Sequence, residues 1–206
     1  VTLYNNLIFG NTADQGSAIY YGGGGSATAR NCTIVENRTG AEGAIYSFGT
    51  GSLTLENCII AHNDSGVYRD SGAVTLSNCD VYGNTAYNYR GLADPTGTNG
   101  NISVDPKLSA FSTGCHLQPG SPCIDVGDDS VVTPGETDLY GKPRIIGAHV
   151  DIGADESDGH FIPSPPNRVW HITPTGSDDN DGTTWQKARA SLSLALLSAQ
   201  HGDEVW

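Results

Sequence analysis

The sequence has no methionine, few charged residues at 16%, and no lysine before Lys107. That scarcity argues against a helical bundle, while 27 glycines and many Asn, Thr and Ser residues suit a turn-rich β architecture. Basic residues are scarce too: 10 against 23 acidic ones give a formal charge of −13, which repels nucleic acid and anionic membrane surfaces, so neither is an expected partner. No apolar run reaches the roughly 18 residues of a membrane-spanning helix. The first residues also lack the basic, apolar and small-residue order of a signal peptide. What remains is a hydrophobic content of 37%, enough to bury a core.

A repeat organises the first half of the chain. VTLYNNLIFGN from Val1, ATARNCTIVEN from Ala27, LTLENCIIAHN from Leu53 and VTLSNCDVYGN from Val74 align without gaps, their starts 26, 26 and 21 residues apart. The apolar columns are Val1, Ala27, Leu53 and Val74; Leu3, Ala29, Leu55 and Leu76; and Ile8, Ile34, Ile60 and Val81. Between the first two run Thr2, Thr28, Thr54 and Thr75, the alternation of a half-buried strand with threonine outward. Asn5, Asn31, Asn57 and Asn78 break that alternation, and Asn11, Asn37, Asn63 and Asn84 close each segment. Asparagine tolerates left-handed backbone, so both columns are expected to be corners.

A weaker motif, GSAIYY from Gly16, GAIYS from Gly43 and GVYRD from Gly66, supplies a third strand per turn, with Ile19, Ile45 and Val67 inward and Tyr20, Tyr46 and Tyr68 outward. Three strands in a turn of 21 to 26 residues describe a parallel β-helix, a single-stranded solenoid whose coils stack at about 4.8 Å. Leucine-rich repeats have a different Leu and Asn spacing, and propeller blades need about 40 residues each. The ends of such a stack expose strand edges, so caps are expected.

Past Asn84 the repeat fades. HLQPGSPCIDVGD from His116, DLYGKPRIIG from Asp138 and VDIGADE from Val150 resemble the C-terminal closure of bacterial surface proteins with right-handed β-helix repeats, the choice-of-anchor Q group. With the repeats, the resemblance covers about residues 1–156. Residues 157–168, with three prolines, read as a linker. From Val169, the strand, Asp-rich turn, Trp and apolar helix look like the N-terminal opening of a second, pectin-lyase-like β-helix, truncated at Trp206. Ala188, Leu192, Ala195, Leu196 and Ala199 share one face at helical spacing between Gln186 and Gln200, and Gly202 follows as a stop, so a short capping α-helix is expected there. Because Val1 sits inside a repeat, the chain is expected to be part of a longer protein carrying its signal and anchor elsewhere.

Cys32, Cys58 and Cys79 occupy one column directly after the corner Asn and read as a buried stack of small side chains. Cys115 and Cys123 bracket a Pro-Gly turn; spacing leaves both a disulfide and free thiols open. Asp178, Asp179 and Asp181 offer hard oxygen ligands for Ca²⁺, the one cofactor the residues point to, but without the length or bidentate Glu of an EF-hand loop, and an Asp-rich turn beside a helix start is more often a cap and turn device; the same holds for Asp128, Asp129 and Asp151.

Many pectin-lyase-like proteins cleave acidic polysaccharides, by an Arg or Lys base or by clustered carboxylates. Here Arg30, Arg38, Arg69 and Arg90 share no column, and the Asn-Thr-Asp, Asp-Asp and Gly-His-Gly signatures of polygalacturonases are missing. Asp64, Asp70 and Asp80 lie in neighbouring coils, and His62 stands beside a corner. No catalytic constellation emerges. The tyrosine column suits stacking against sugar rings, or simply strengthens the sheet. The expectation is a monomeric, secreted or cell-surface β-helix region that contacts a polysaccharide or surface glycan without catalysis; a lyase or hydrolase with catalytic coils elsewhere and a structural stalk are the alternatives.

Overall fold

Short strands recur along the chain wherever the repeat alternates. They are β1 (Thr2–Tyr4), β2 (Leu7–Phe9), β3 (Thr12–Gln15), β4 (Ile19–Gly23), β5 (Ser26–Arg30), β6 (Thr33–Val35), β7 (Arg38–Glu42), β8 (Ile45–Gly49), β9 (Ser52–Glu56), β10 (Ile59–Ala61), β11 (Val67–Arg69), β12 (Ala73–Ser77), β13 (Asp80–Tyr82) and β14 (Tyr89–Arg90). The computed structural model describes residues 1–109, 114–159, 169–177, 179–180, 184–188, 190–191 and 204–205. It divides into two units: Val1–Leu108 with His116–His160, and Ser109–Cys115 with Phe161–Trp206.

In the first unit the strands form three four-stranded parallel sheets, in the orders β1-β5-β9-β12, β2-β6-β10-β13 and β4-β8-β11-β14, with β3 and β7 as a short extra pair. Residues aligned in the repeat are the residues paired in space. Thr28 lies against Thr2 and Thr54, Thr54 against Thr75, and Ile8, Ile34, Ile60 and Val81 follow one another in register. Ile45 pairs with Ile19 and Val67. The aliphatic columns and Cys32, Cys58 and Cys79 form one core. The exception is Val1, placed inward by its column but 91% exposed, one residue ahead of β1.

The corners differ from expectation in one column. Asn5, Asn31, Asn57 and Asn78 hold left-handed backbone, with φ of 53°, 50°, 48° and 46°. The closing asparagines do not; that conformation falls one residue earlier, on Gly10, Glu36, His62 and Gly83. The bend there lets the next side chain turn inward, so Asn37, Asn63 and Asn84 are buried and their amides form a ladder. Asn11 Nδ2 donates to Asn37 Oδ1 at 3.0 Å, Asn37 to Asn63 at 3.0 Å, Asn63 to Asn84 at 2.9 Å and Asn84 to Asn88 at 2.9 Å.

β14 closes the fourth coil on the third sheet, and part of a fifth coil follows where the repeat fades in the sequence. Asn99, 21 residues after Asn78, has φ 50°, and its carbonyl accepts from Asn78 N–H at 2.9 Å. Ile102 bridges Asp80 in parallel. From Leu117 onward the chain returns along the Asn corner. Asn57 exchanges two bonds with the Asp128 backbone, at 3.1 and 2.9 Å, Asn78 Nδ2 donates to Val126 O at 3.0 Å, and Asn5 Nδ2 donates to Thr137 O. Arg30 donates to Val131 O and pairs with Glu136, each at 2.6 Å. This returning segment also covers the outer side of the second sheet, where Ala154 N–H donates to Thr33 Oγ1 at 2.9 Å and Ile59 is fully buried.

In the second unit β15 (Val169–Trp170) and β16 (Glu204–Val205) pair in parallel. The expected helix is not continuous from Gln186. Trp185–Lys187 is a single 3-10 turn capped by Thr184, and Ala188 leaves it in extended backbone. The Ala188 carbonyl is taken by Ser177 N–H and Asn180 Nδ2, at 3.1 and 2.9 Å. Residues 192–200 of that expected helix, and 160–168 of the expected linker, lie outside the described residues.

Candidate functional site

On the third sheet the residue after each inward Ile or Val faces out, so Tyr20, Tyr46 and Tyr68 stack along the solenoid axis. Their ring centroids are 5.5 and 5.2 Å apart. The ladder is not the uniformly exposed platform expected of it. Tyr20 is 55% exposed, whereas Tyr46 is buried at 9%. Phe48, two residues on and so on the same side of β8, sits 5.3 Å from Tyr20 and 5.7 Å from Tyr46. It fits because Gly22 opposite has no side chain: a Cβ there would lie 2.2 Å from the Phe48 ring. The Arg90 guanidinium, paired in register with Tyr68, covers that ring at 4.6 Å from its centroid. Phe48 is legible from strand alternation; Arg90 is not, because β14 of the fourth coil lacks the Gly and Ile/Val-Tyr motif of the third sheet.

The three aspartates of neighbouring coils do not form one cluster. Asp64 and Asp70 are exposed, while Asp80 is buried, accepting from Val104 N–H at 3.1 Å and Cys123 Sγ at 3.4 Å. His62 is exposed in left-handed backbone with its ring edge-on to Tyr82. Among the described residues no group of three or more His, Cys, Asp or Glu is placed to hold a metal ion. Of the suggested calcium ligands, Asp179 is exposed and donates its N–H to Ser177 Oγ at 3.3 Å in a local turn; Asp178 and Asp181 lie outside the described residues. Asp128 caps a 3-10 turn, and Asp129 accepts from Val150 N–H and pairs with His149, contacts that lower its pKa.

None of the five cysteines is in a disulfide, and all are buried. Contact with the neighbouring Cys58 thiol and burial push Cys32 well up, and burial does the same to Cys58, so these thiols stay protonated. Cys115 and Cys123 do not form the candidate disulfide; burial and Asp80 hold Cys123 as a thiol instead.

The densest chemistry lies in the returning segment. Arg144 is 1% exposed and donates to the carbonyls of Ala154, Asp151 and Gly153. Its Nε stands 3.8 Å from Glu156 Oε2, beyond hydrogen-bond reach. Glu156 and Asp151 are fully buried, and Asp151 takes the N–H groups of Asp125 and Ser157, each at 2.7 Å. Asp138 and Asp155 are nearly buried beside them, Asp155 held by His116 at 3.1 Å and Lys142 at 3.5 Å. One buried guanidinium cannot balance this many carboxylates. Burial raises Asp151 to about 6, and burial together with the Asp151 charge raises Glu156 to about 8. Asp80 rises to about 6 by burial.

Each of these carboxyls binds its proton more tightly folded than unfolded. Their stabilisation is complete below the unfolded pKa and lost as pH rises through the folded one, near 6 for Asp80 and Asp151 and near 8 for Glu156. Between pH 6 and pH 8 Glu156 alone should lower the unfolding free energy by about 2 kcal/mol. Urea unfolding at the two pH values checks this: Glu156→Gln should remove most of the difference, and an unchanged difference refutes the assignment.

These groups sit where backbone bonds orient them. Comparison with known families matches residues 1–125 to the family described as right handed beta helix region. No curated protein and no solved structure matches the chain.

Proposed function

Because this chain belongs to the right-handed β-helix family, we propose that it is a non-catalytic region of a secreted or cell-surface protein, presenting its third sheet to a polysaccharide or surface glycan. The observation that carries this reading is the aromatic row Tyr20, Tyr46, Phe48 and Tyr68, with Tyr20 open and Arg90 stacked at the far end. Exposed aromatic faces bind the apolar faces of sugar rings, and a guanidinium adds hydrogen bonds to hydroxyls or uronate carboxylates. In this reading the protein is monomeric and pectin-lyase-like. Residues 1–156 are coils with a choice-of-anchor Q closure, 157–168 a linker, and 169–206 the opening of a second helix. Calcium at Asp178, Asp179 and Asp181 is the one cofactor it accommodates.

Affinity electrophoresis in gels containing pectate, alginate or neutral glucans tests the reading. Tyr20→Ala should weaken retardation about tenfold, a loss of roughly 1.4 kcal/mol, with an unchanged melting temperature. Retention equal to the unaltered chain overturns it, and release of unsaturated uronides, seen by ultraviolet absorbance, replaces it with a lyase. The burial of Tyr46 favours a second reading, in which the ladder only stiffens a stalk: no glycan then retards the chain, and Tyr46→Ala lowers stability.

A further inference from the structure

The fifth coil omits a strand. The fourth coil completes the third sheet with β14, the fifth continues the second sheet through the Asp80–Ile102 bridge, and Asn99 repeats the corner beneath Asn78. Yet the first sheet ends at β12, and among the described residues no strand lies on its far side. Residues Leu92–Thr98 bow outward instead. They satisfy their own backbone in turns, Thr98 N–H donating to Pro95 O at 3.0 Å and Thr96 N–H to Asp94 Oδ1 at 2.9 Å. Between this bow and β12 lies a groove of about 340 Å³, lined by Arg69, Val74, Leu76, Leu92, Pro95 and Asn99 among others.

The groove wall is an unpaired strand edge. Along a parallel strand alternate residues address opposite neighbours. Ala73 N–H donates back to Gly51 O at 3.0 Å, whereas Asn78 N–H donates forward to Asn99 O at 2.9 Å, so Val74 and Leu76 face forward into the groove. The Leu76 carbonyl accepts from Asn101 Nδ2 at 2.9 Å, leaving Val74 N–H, Val74 C=O and Leu76 N–H directed at the opening. The floor is apolar, because Val74 and Leu92 pack on the core while remaining partly open.

We propose that this groove takes an extended peptide segment of a partner protein, which adds to β12 as the missing parallel strand. Main-chain pairing to an exposed edge supplies affinity, and the alternation of pockets selects side chains. An apolar-Thr-apolar segment fits: its apolar residues meet Val74, Leu76 and Leu92, and its threonine extends the row Thr28, Thr54, Thr75, in which Thr75 Oγ1 already donates to Thr54 Oγ1 at 3.3 Å. A glycan offers no regular N–H and C=O pattern to this edge.

The test uses the full chain and a fluorescein-labelled peptide, Ser-Leu-Thr-Leu-Glu, which copies residues 52–56 and stops short of the corner that Asn99 occupies. Fluorescence anisotropy should rise saturably. The same peptide with proline in place of threonine loses the N–H that meets Val74 C=O and should bind at least about tenfold more weakly, as one lost backbone bond implies. Val74→Pro removes a protein N–H that faces only the groove, a substitution edge strands tolerate, and should weaken binding likewise. Should that variant unfold, Ala93→Trp, which narrows the groove from the bow, serves in its place. Absence of saturable binding, equal binding of the proline peptide, or displacement by a β-1,4-glucan oligosaccharide regardless of Val74→Pro would each overturn the proposal.

Discussion

Arg144→Ala is expected to lower the unfolding free energy by about 3 to 5 kcal/mol, the loss typical when one partner of a buried charge cluster is removed. The side chain is 1% exposed and serves three backbone carbonyls, at Asp151, Gly153 and Ala154. Without it the Asp151 and Gly153 oxygens are buried unpaired, Ala154 O keeps only the Leu139 N–H, and Glu156, Asp151 and Asp138 lose the cation among them. Urea unfolding measures the loss. Limited proteolysis locates it: the stretch His116–Gly159 should become cleavable before the coils do, because its docking on the Asn corner depends on the same loop. Arg144→Lys keeps the charge but cannot reach three carbonyls in a fan, so it should recover under half of the loss. A variant as stable as the parent would show that the cluster contributes nothing.

Asn63→Leu comes second, at about 3 kcal/mol, the sum of several buried groups each left without a partner. The Asn63 amide donates to Asn84 Oδ1 and Ile34 O, at 2.9 and 3.1 Å, and its Oδ1 accepts from Asn37 N–H and Nδ2, at 2.9 and 3.0 Å. Leucine keeps the branched shape and is the larger side chain, so no cavity contributes to the loss. Asn63→Asp keeps the acceptor but removes both donations and buries a charge; it should be worse than leucine at pH 8 and milder at pH 4. Thermal melts of the three chains at those pH values decide the matter. A smaller effect for aspartate at pH 8 would show that the ladder is wet.

The repeat made the coils legible because stacking imposes one environment on every aligned position. Ile34, Ile60 and Val81 share a column in the sequence and a fully buried row in space for the same reason. The first Asn column was legible through its tolerance of left-handed backbone. The second was not, since an Asn that bonds inward and an Asn that bends the chain look alike in sequence. Its distinguishing signal was present in Gly10 and Gly83, one residue earlier, where left-handed backbone favours glycine.

The candidate face divides in the same way. Tyr20, Tyr46 and Tyr68 follow from periodicity, but whether a ring is open depends on neighbours from other coils. Phe48 over Gly22 and Arg90 over Tyr68 close part of the row, and neither contact is periodic. Residues 92–98 likewise keep the 21-residue spacing from Asn78 to Asn99 but fold into turns with Pro95 and Gly97, so their departure from β12 follows no column.

By itself, then, the sequence determined that this is a stack of parallel coils, which residues line its interior, and that its surface is acidic. The tertiary structure alone decided where the aperiodic returning segment docks, which carboxyls it buries around Arg144, and where a strand is missing from the first sheet. The physical reason is range: a stacked row needs only the spacing of its own repeat, whereas Arg30 to Val131 and Thr33 to Ala154 are contacts across 101 and 121 residues that no local pattern encodes.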